Sequence, residues 1–166
     1  MPAPATPPGS DEVIDAPEGL HTLVAMFASG VGPRHSRRLN ETELRRFYLD
    51  PFFTLLGWDV DNSQRAQHEV RHEDRVRIGG RFKAPAYGFY LGHHRKFLVE
   101  AKKPSVDIHG DVSPAYQLRR YGWNAKVPLA ILTDFEELAV YDCRVRPRPD
   151  DAPTVARLLY YRFDDL

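Results

Sequence analysis

The sequence predicts an α/β domain in which a central mixed β-sheet is flanked by helices, and three observations carry that expectation. An apolar strand pattern, an amphipathic helix and a second apolar strand follow one another between residues 96 and 133. A second strand-like run, "APAYGFYL", precedes them across the short link "GHHR", the length of an ordinary hairpin loop. Ahead of both lies the strongest helix signal in the chain, "NETELRRFYLDPFFTLLGWDV".

The elements follow in order. "DAPEGLHTLVAMFASG" places Leu20, Leu23, Val24 and Phe27 at helical spacing, with Asp15 as the expected N-cap and Gly30 as the stop. "GPRHSRR" reads as a polar, basic link whose Arg34, Arg37 and Arg38 could reach phosphates or simply solvate the chain. In the next helix Asn40 can cap and Glu43 stands at N3, the spacing of a capping box. Leu44, Phe47, Tyr48, Pro51, Phe52 and Leu55 form the apolar face, with a kink expected at Pro51 and an end at Gly57. Short strand pieces around Val70, Val76 and Ile78 should stop at Gly79-Gly80. "SPAYQLRRYGWN" begins a helix with Ser113 as N-cap and Pro114 in the first position. "VPLAILT", "LAVYDC" and "ARLLYYRF" are the remaining strands. The strand through Glu100, the helix and "VPLAILT" make a βαβ unit, so those two strands should be parallel.

Composition narrows the function classes. A chain of 166 residues with 42% hydrophobic content supports one domain with a sizeable core. The single cysteine, Cys143, closes no intrachain disulfide, zinc spacings are missing, and no apolar run is long enough for a membrane span. The expected setting is soluble and cytoplasmic. Residues 1 to 15, rich in proline, read as a disordered leader, and residues 16 to 166 as one domain. Net charge is zero, yet the acids gather at the two ends, leaving residues 21 to 149 with a net charge of +6. That is compatible with a polyanionic partner without requiring one.

Within "KFLVEAKKP", alternation sets Phe97, Val99 and Ala101 on one face and Leu98, Glu100 and Lys102 on the other. Glu-x-Lys on a strand is often just an edge ion pair contributing about 0–1 kcal/mol. A hairpin turning about His93 would pair positions summing to 186, which sets residue 86 opposite Glu100. Two side chains so placed have Cβ atoms about 4.5–5.5 Å apart, close enough for two carboxylates to share a cation. Residue 86 is alanine.

Four stretches, "NETELRRFYLDPFFTLLGW", "HEDRVRIGGRFKAPAYGFYLG", "RKFLVEAKKPSVDI" and "SPAYQLRRYGWNAKVPLAILTDFEELAVYDC", together resemble the N-terminal nuclease domain of type IIG restriction enzymes. They are similar also to the nuclease domain of the type I restriction motor subunit. The resemblance spans residues 40 to 162 and implies the PD-(D/E)XK restriction-endonuclease-like fold. It places the family's Pro-Asp on Pro85-Ala86, its Glu-x-Lys on Glu100-Ala101-Lys102, its Gln-x-x-x-Tyr on Gln117 and Tyr121, and a helix acid on Glu43. It further implies Mg²⁺, for which Mn²⁺ can substitute, held by residue 86, Glu100 and the Ala101 carbonyl. Lys102 would orient or deprotonate the attacking water, and Lys103, Arg119 and Arg120 would touch DNA.

The departure at Ala86 removes one charged ligand while its neighbours stay intact, which points to aspartate replaced by alanine. The expectation is a folded but catalytically dead or nearly dead domain, a fragment of a larger restriction-modification protein. Its parent would cut double-stranded DNA, carry methyltransferase and target-recognition parts downstream, and dimerise during cleavage. The alternatives are a non-catalytic DNA-binding or scaffold module in which Ala86 is native, and the same chemistry on RNA. Bland roles stay open for other residues: Glu43 is explained by capping, His93 and His94 by solvation at a hairpin tip, and Tyr116, Trp123, Phe52 and Phe53 by packing.

Overall fold

The structure, a computed structural model, describes residues 15–30, 38–65 and 67–165. Most of the expected leader and of the basic link, including Arg34 and Arg37, lies outside the described residues. Helix α1 spans Glu18–Ser29 and ends on Gly30, whose φ of 61° is the left-handed C-cap the sequence implies. Its N-cap is Pro17, not Asp15. Proline disfavours helical backbone in the residue before it, so the helix cannot start earlier.

The second helical stretch runs as α2 (Glu41–Leu44), a π-helical turn (Arg45–Leu49) and α3 (Asp50–Leu55). Its capping box forms as expected: Glu43 N–H donates to Asn40 Oδ1 at 2.8 Å, and Asn40 N–H donates to Glu43 Oε2 at 3.1 Å. The expected disturbance at Pro51 takes the form of the preceding π turn, closed by Asp50 N–H donating to the Arg45 carbonyl. Proline lacks a donor and crowds the carbonyl four residues back, and a wider turn accommodates both effects.

The sheet has six strands: β1 (Val70–His72), β4 (Tyr87–Leu91), β5 (His94–Ala101), β6 (Leu129–Thr133), β7 (Glu137–Asp142) and β8 (Arg157–Arg162). They lie in the order β1-β4-β5-β6-β7-β8. Among these six strands only β5 and β6 pair in parallel, the two strands of the expected βαβ unit, so the sheet is mixed. Helix α4 (Val112–Ala125) connects them, starting one residue ahead of the expected Ser113 with Asp111 as N-cap. β2 (Val76–Ile78) and β3 (Arg81–Lys83) form a separate two-stranded ribbon. The sequence reading stopped at Gly79-Gly80 and missed β3. Those glycines have φ of 55° and 80°, the pair of positive values that a tight hairpin turn requires.

Strand alternation divides the interior into two cores. Val70, Tyr87, Phe89, Val99 and Ala101 meet α1, the π turn and α3 through Phe27, Tyr48, Leu49 and Phe53. Leu98, Ala130, Leu132, Ala139 and Tyr141 meet α4 through Ala115, Leu118 and Tyr121. β5, buried on both faces from Leu98 to Ala101, therefore brings Glu100 into the interior on the α4 side.

The β4–β5 register matches the sequence reading at the end that matters. Tyr87 faces Val99, Gly88 faces Leu98 and Phe89 faces Phe97, all summing to 186. A bulge between Phe89 and Tyr90 then shifts the pairing by one, so the turn itself is Gly92-His93. His93 and His94 are both exposed.

Gly88 is required by a close approach. An added Cβ would lie 1.9 Å from Asp74 Oδ2, and Asp74 is held there by the Tyr90 hydroxyl at 2.7 Å and Arg95 Nε at 2.9 Å. Gly88→Ala should therefore lower stability by about 1–3 kcal/mol in urea unfolding, because the buried Asp74 must leave its partners. An unchanged midpoint would show that Asp74 does not pack over this strand.

Candidate active site

Glu100 is the centre of the site. It is 5% exposed, and its Oε2 has no hydrogen-bond partner among the described residues. Lys102 Nζ stands 4.0 Å from Glu100 Oε1, a loose pairing, because the ammonium donates instead to Gln117 Oε1 at 3.0 Å. Gln117 Nε2 in turn donates to the Tyr121 hydroxyl at 2.7 Å. The four residues thus form a line from β5 onto α4. Gln117 and Tyr121 are one helical turn apart and share a face. Gln117 fixes the ammonium, and Tyr121 fixes which way the amide points.

Burial pushes the Glu100 carboxyl up to about 8, Lys102 opposes that rise, and the charges of Glu41 and Glu73 add to it. Without an added cation this carboxyl is largely protonated at neutral pH. Tyr121 is raised as well, first by burial and then by the charge of Glu100.

Position 86 lies one residue before β4, and continuing the β4–β5 register sets it opposite Glu100. Ala86 is 2% exposed and lies among the buried residues of the α1–α3 cluster. Its carbonyl accepts two hydrogen bonds, from Glu73 N–H at 3.0 Å and from Arg45 Nη2 at 3.0 Å. Arg45 also pairs with Glu73 and lies 4.8 Å over the Tyr87 ring. Burial alone would lower the Arg45 pKa, but the bonds with Glu73 and Tyr87 leave it raised. Tyr87 donates its hydroxyl to Asp50 Oδ1 at 2.6 Å.

Glu41 is a helix acid electrostatically coupled to Glu100 and Tyr121, while Glu43 closes the capping box with Asn40. Glu41 and Arg45 share a helix face, and Glu43 projects elsewhere. Arg45, Glu41 and Glu73 were missed by the sequence reading. The four-residue spacing of Glu41 and Arg45 in "NETELRRF" was the available signal.

Among the expected DNA contacts, Lys103 and Arg120 are exposed, and Arg120 lies 5.4 Å from the Tyr116 ring. Arg119 is a correction. It is 1% exposed, donates to Asp151 Oδ2 at 2.7 Å, and reaches the carbonyls of Val145 and Arg146. It stands between Ala115 and Gly122 on the buried stripe of α4, so it tethers the β7–β8 loop from inside and cannot touch a phosphate. Phe53 is buried and Phe52 partly so, whereas Trp123, expected in packing, is 41% exposed.

A divalent cation would meet one open donor at this site. The orphaned Glu100 Oε2 is an oxygen that a cation would satisfy. The remainder of the set falls short: among the described residues no three His, Cys, Asp or Glu side chains are grouped to hold a metal. Ala86 offers only a carbonyl already bonded twice. A hard cation takes several oxygen ligands, so the site with alanine at 86 does not fit one.

The mixed sheet with its flanking helices is compatible with a restriction-endonuclease-like fold. No family model matches the chain. It is 40% identical over 152 residues to the type II restriction enzyme and methyltransferase RM.Eco57I of Escherichia coli, a match covering 89% of this chain. The chain spans 15% of that protein's length. Among the described residues no helix is long and apolar enough to cross a membrane.

The raised Glu100 pKa fixes a pH dependence. A carboxyl whose folded value exceeds its unfolded one stabilises the fold most below the unfolded value, and that contribution is lost as pH rises through about 8. Glu100→Gln should remove this dependence and make the protein more stable than the parent chain at about pH 9, by about 2–4 kcal/mol in urea unfolding. Parallel stability curves for the two proteins would contradict the assignment.

Proposed function

We propose that this chain is the cleavage domain of a DNA restriction endonuclease, with its phosphodiester-hydrolysing site disabled by alanine at position 86. The observation that carries the reading is the line of Glu100, Lys102, Gln117 and Tyr121, in which a buried carboxyl with an unpartnered oxygen stands beside an oriented ammonium. Such an ammonium can donate to a phosphate oxygen or to the attacking water, and the second hydrogen bond holding Gln117 keeps it from swinging away.

The parent activity would use Mg²⁺, with Mn²⁺ as substitute, held by a carboxylate at 86, by Glu100 and by the Ala101 carbonyl. Bound there, the ion would supply charge for the phosphate and acidify water. The methyl of Ala86 removes one of these donors. Similarity to a protein whose name joins restriction enzyme and methyltransferase supports a domain that works inside a larger restriction-modification protein. Sequence recognition would then reside in other parts, and this domain would contact double-stranded DNA without base preference.

A second reading, a binding module that keeps the fold without catalysis, is favoured by one observation. Ala86 is comfortably packed in the core and its carbonyl is fully used.

Nicking of supercoiled plasmid separates the two. Ala86→Asp should gain Mg²⁺- or Mn²⁺-dependent cleavage that EDTA abolishes, at least about 100-fold above the parent chain, and adding Lys102→Ala should remove it again. Failure of the folded Ala86→Asp protein to cut, alone and when joined to methyltransferase and recognition parts, would favour the binding module.

A further inference from the structure

Residues 73 to 86 leave the six-stranded sheet after β1 and return to it before β4, and the excursion between them is the β2–β3 ribbon. Its base closes at the candidate site, where Glu73 N–H donates to the Ala86 carbonyl at 3.0 Å. Just above, Asp74 is 8% exposed and holds the Tyr90 hydroxyl and Arg95 Nε, while Arg95 Nη2 donates to the Arg75 carbonyl at 3.3 Å. Val76 is buried in the core beneath α4. The ribbon is therefore braced against the body of the domain along one side.

Arg77 and Phe82 share the opposite face, while Arg81 and Lys83, paired with Ile78 and Val76, flank the braced one. Arg75, Arg77, Arg81 and Lys83 are all exposed, and no acid lies between residues 75 and 83. None of these four side chains has a hydrogen bond or ion pair among the described residues. Six arginines elsewhere, Arg45, Arg71, Arg95, Arg119, Arg144 and Arg162, each meet a carboxylate. Phe82, directly opposite Arg77, is 63% exposed, more than any other large hydrophobic residue described.

Four unpaired like charges on one short ribbon repel one another and gain nothing from the fold. A polyanion would relieve that repulsion. Arg75 and Arg77 project on the same side about 7 Å apart, two strand residues along, so both can follow one phosphate strand. A two-stranded ribbon also has the width that a DNA major groove admits.

We propose that the β2–β3 ribbon is a clamp for the phosphate backbone of duplex DNA, with Arg75, Arg77, Arg81 and Lys83 on the phosphates and Phe82 against the groove edge. The choice of DNA over other polyanions rests on the nuclease reading above. Because the ribbon's base is the Glu73–Ala86 hydrogen bond, a strand gripped by it is delivered beside Glu100 and Lys102.

The test is binding of a labelled duplex to the 166-residue chain over a range of salt, which needs no cleavage. Replacing Arg75, Arg77, Arg81 and Lys83 together by alanine should weaken binding at about 50 mM salt by about 30-fold or more, and flatten the plot of log affinity against log salt by about 2–4 units. Phe82→Ala should weaken binding at every salt concentration with the slope unchanged. Thermal unfolding of each variant verifies its fold. Removing three cations from the β7–β8 loop, Arg144, Arg146 and Arg148, should have a much smaller effect and controls for bulk charge. The proposal is overturned if the ribbon variant binds like the parent, if the loop variant loses as much, or if the parent itself does not bind duplex at about 20 mM salt. Nicking by Ala86→Asp judges the nuclease reading separately in each of these cases.

Discussion

Burying one carboxyl without a matching donor is the constraint around which this domain is arranged. Glu100 lies on β5, at the centre of the sheet and in its single parallel pairing, where both faces of the strand are covered. An isolated charge there is expensive, and the fold answers by neutralising the group rather than pairing it. Lys102 is near enough to help, yet Gln117 draws its ammonium aside. A structural ion pair would have closed that gap. The open geometry is what a site awaiting a charged ligand presents, and the nuclease proposal rests on it.

The scaffold explains how such a constellation holds its shape. Glu100 and Lys102 are fixed by strand alternation, Gln117 and Tyr121 by helical repeat, and the βαβ connection brings the two pairs together. On the opposite side of position 86, Arg45 gathers Glu73, the Ala86 carbonyl and the Tyr87 ring into one cluster. The π turn that begins at Arg45 has its origin in Pro51, six residues on, so a backbone exception bears directly on a residue at the site. π turns often accompany functional sites.

Much of this was legible because it obeys short-range periodicity. The capping box of Asn40 and Glu43, the βαβ unit and the pairing register near Glu100 all follow from spacings of three, four or two residues. β3 was hidden because Arg81, Phe82 and Lys83 are all exposed and carry no alternation. Arg119 misled through its charge, although Ala115, Leu118 and Gly122 around it mark a buried stripe. The roles of Arg45 and Glu73 depend on contacts 28 and 41 residues apart in the chain, beyond the reach of local pattern.

On the proposed function, position 86 is the missing part of a cation site built on Glu100. Binding of Mn²⁺, followed by electron paramagnetic resonance in the parent chain, Ala86→Asp and the double variant Ala86→Asp with Glu100→Gln, tests it without cleavage. Binding should be at least about 10-fold tighter in Ala86→Asp than in the parent chain, accompanied by proton release as Glu100 ionises, and that gain should be lost in the double variant. Equal Mn²⁺ affinity in all three proteins would contradict it.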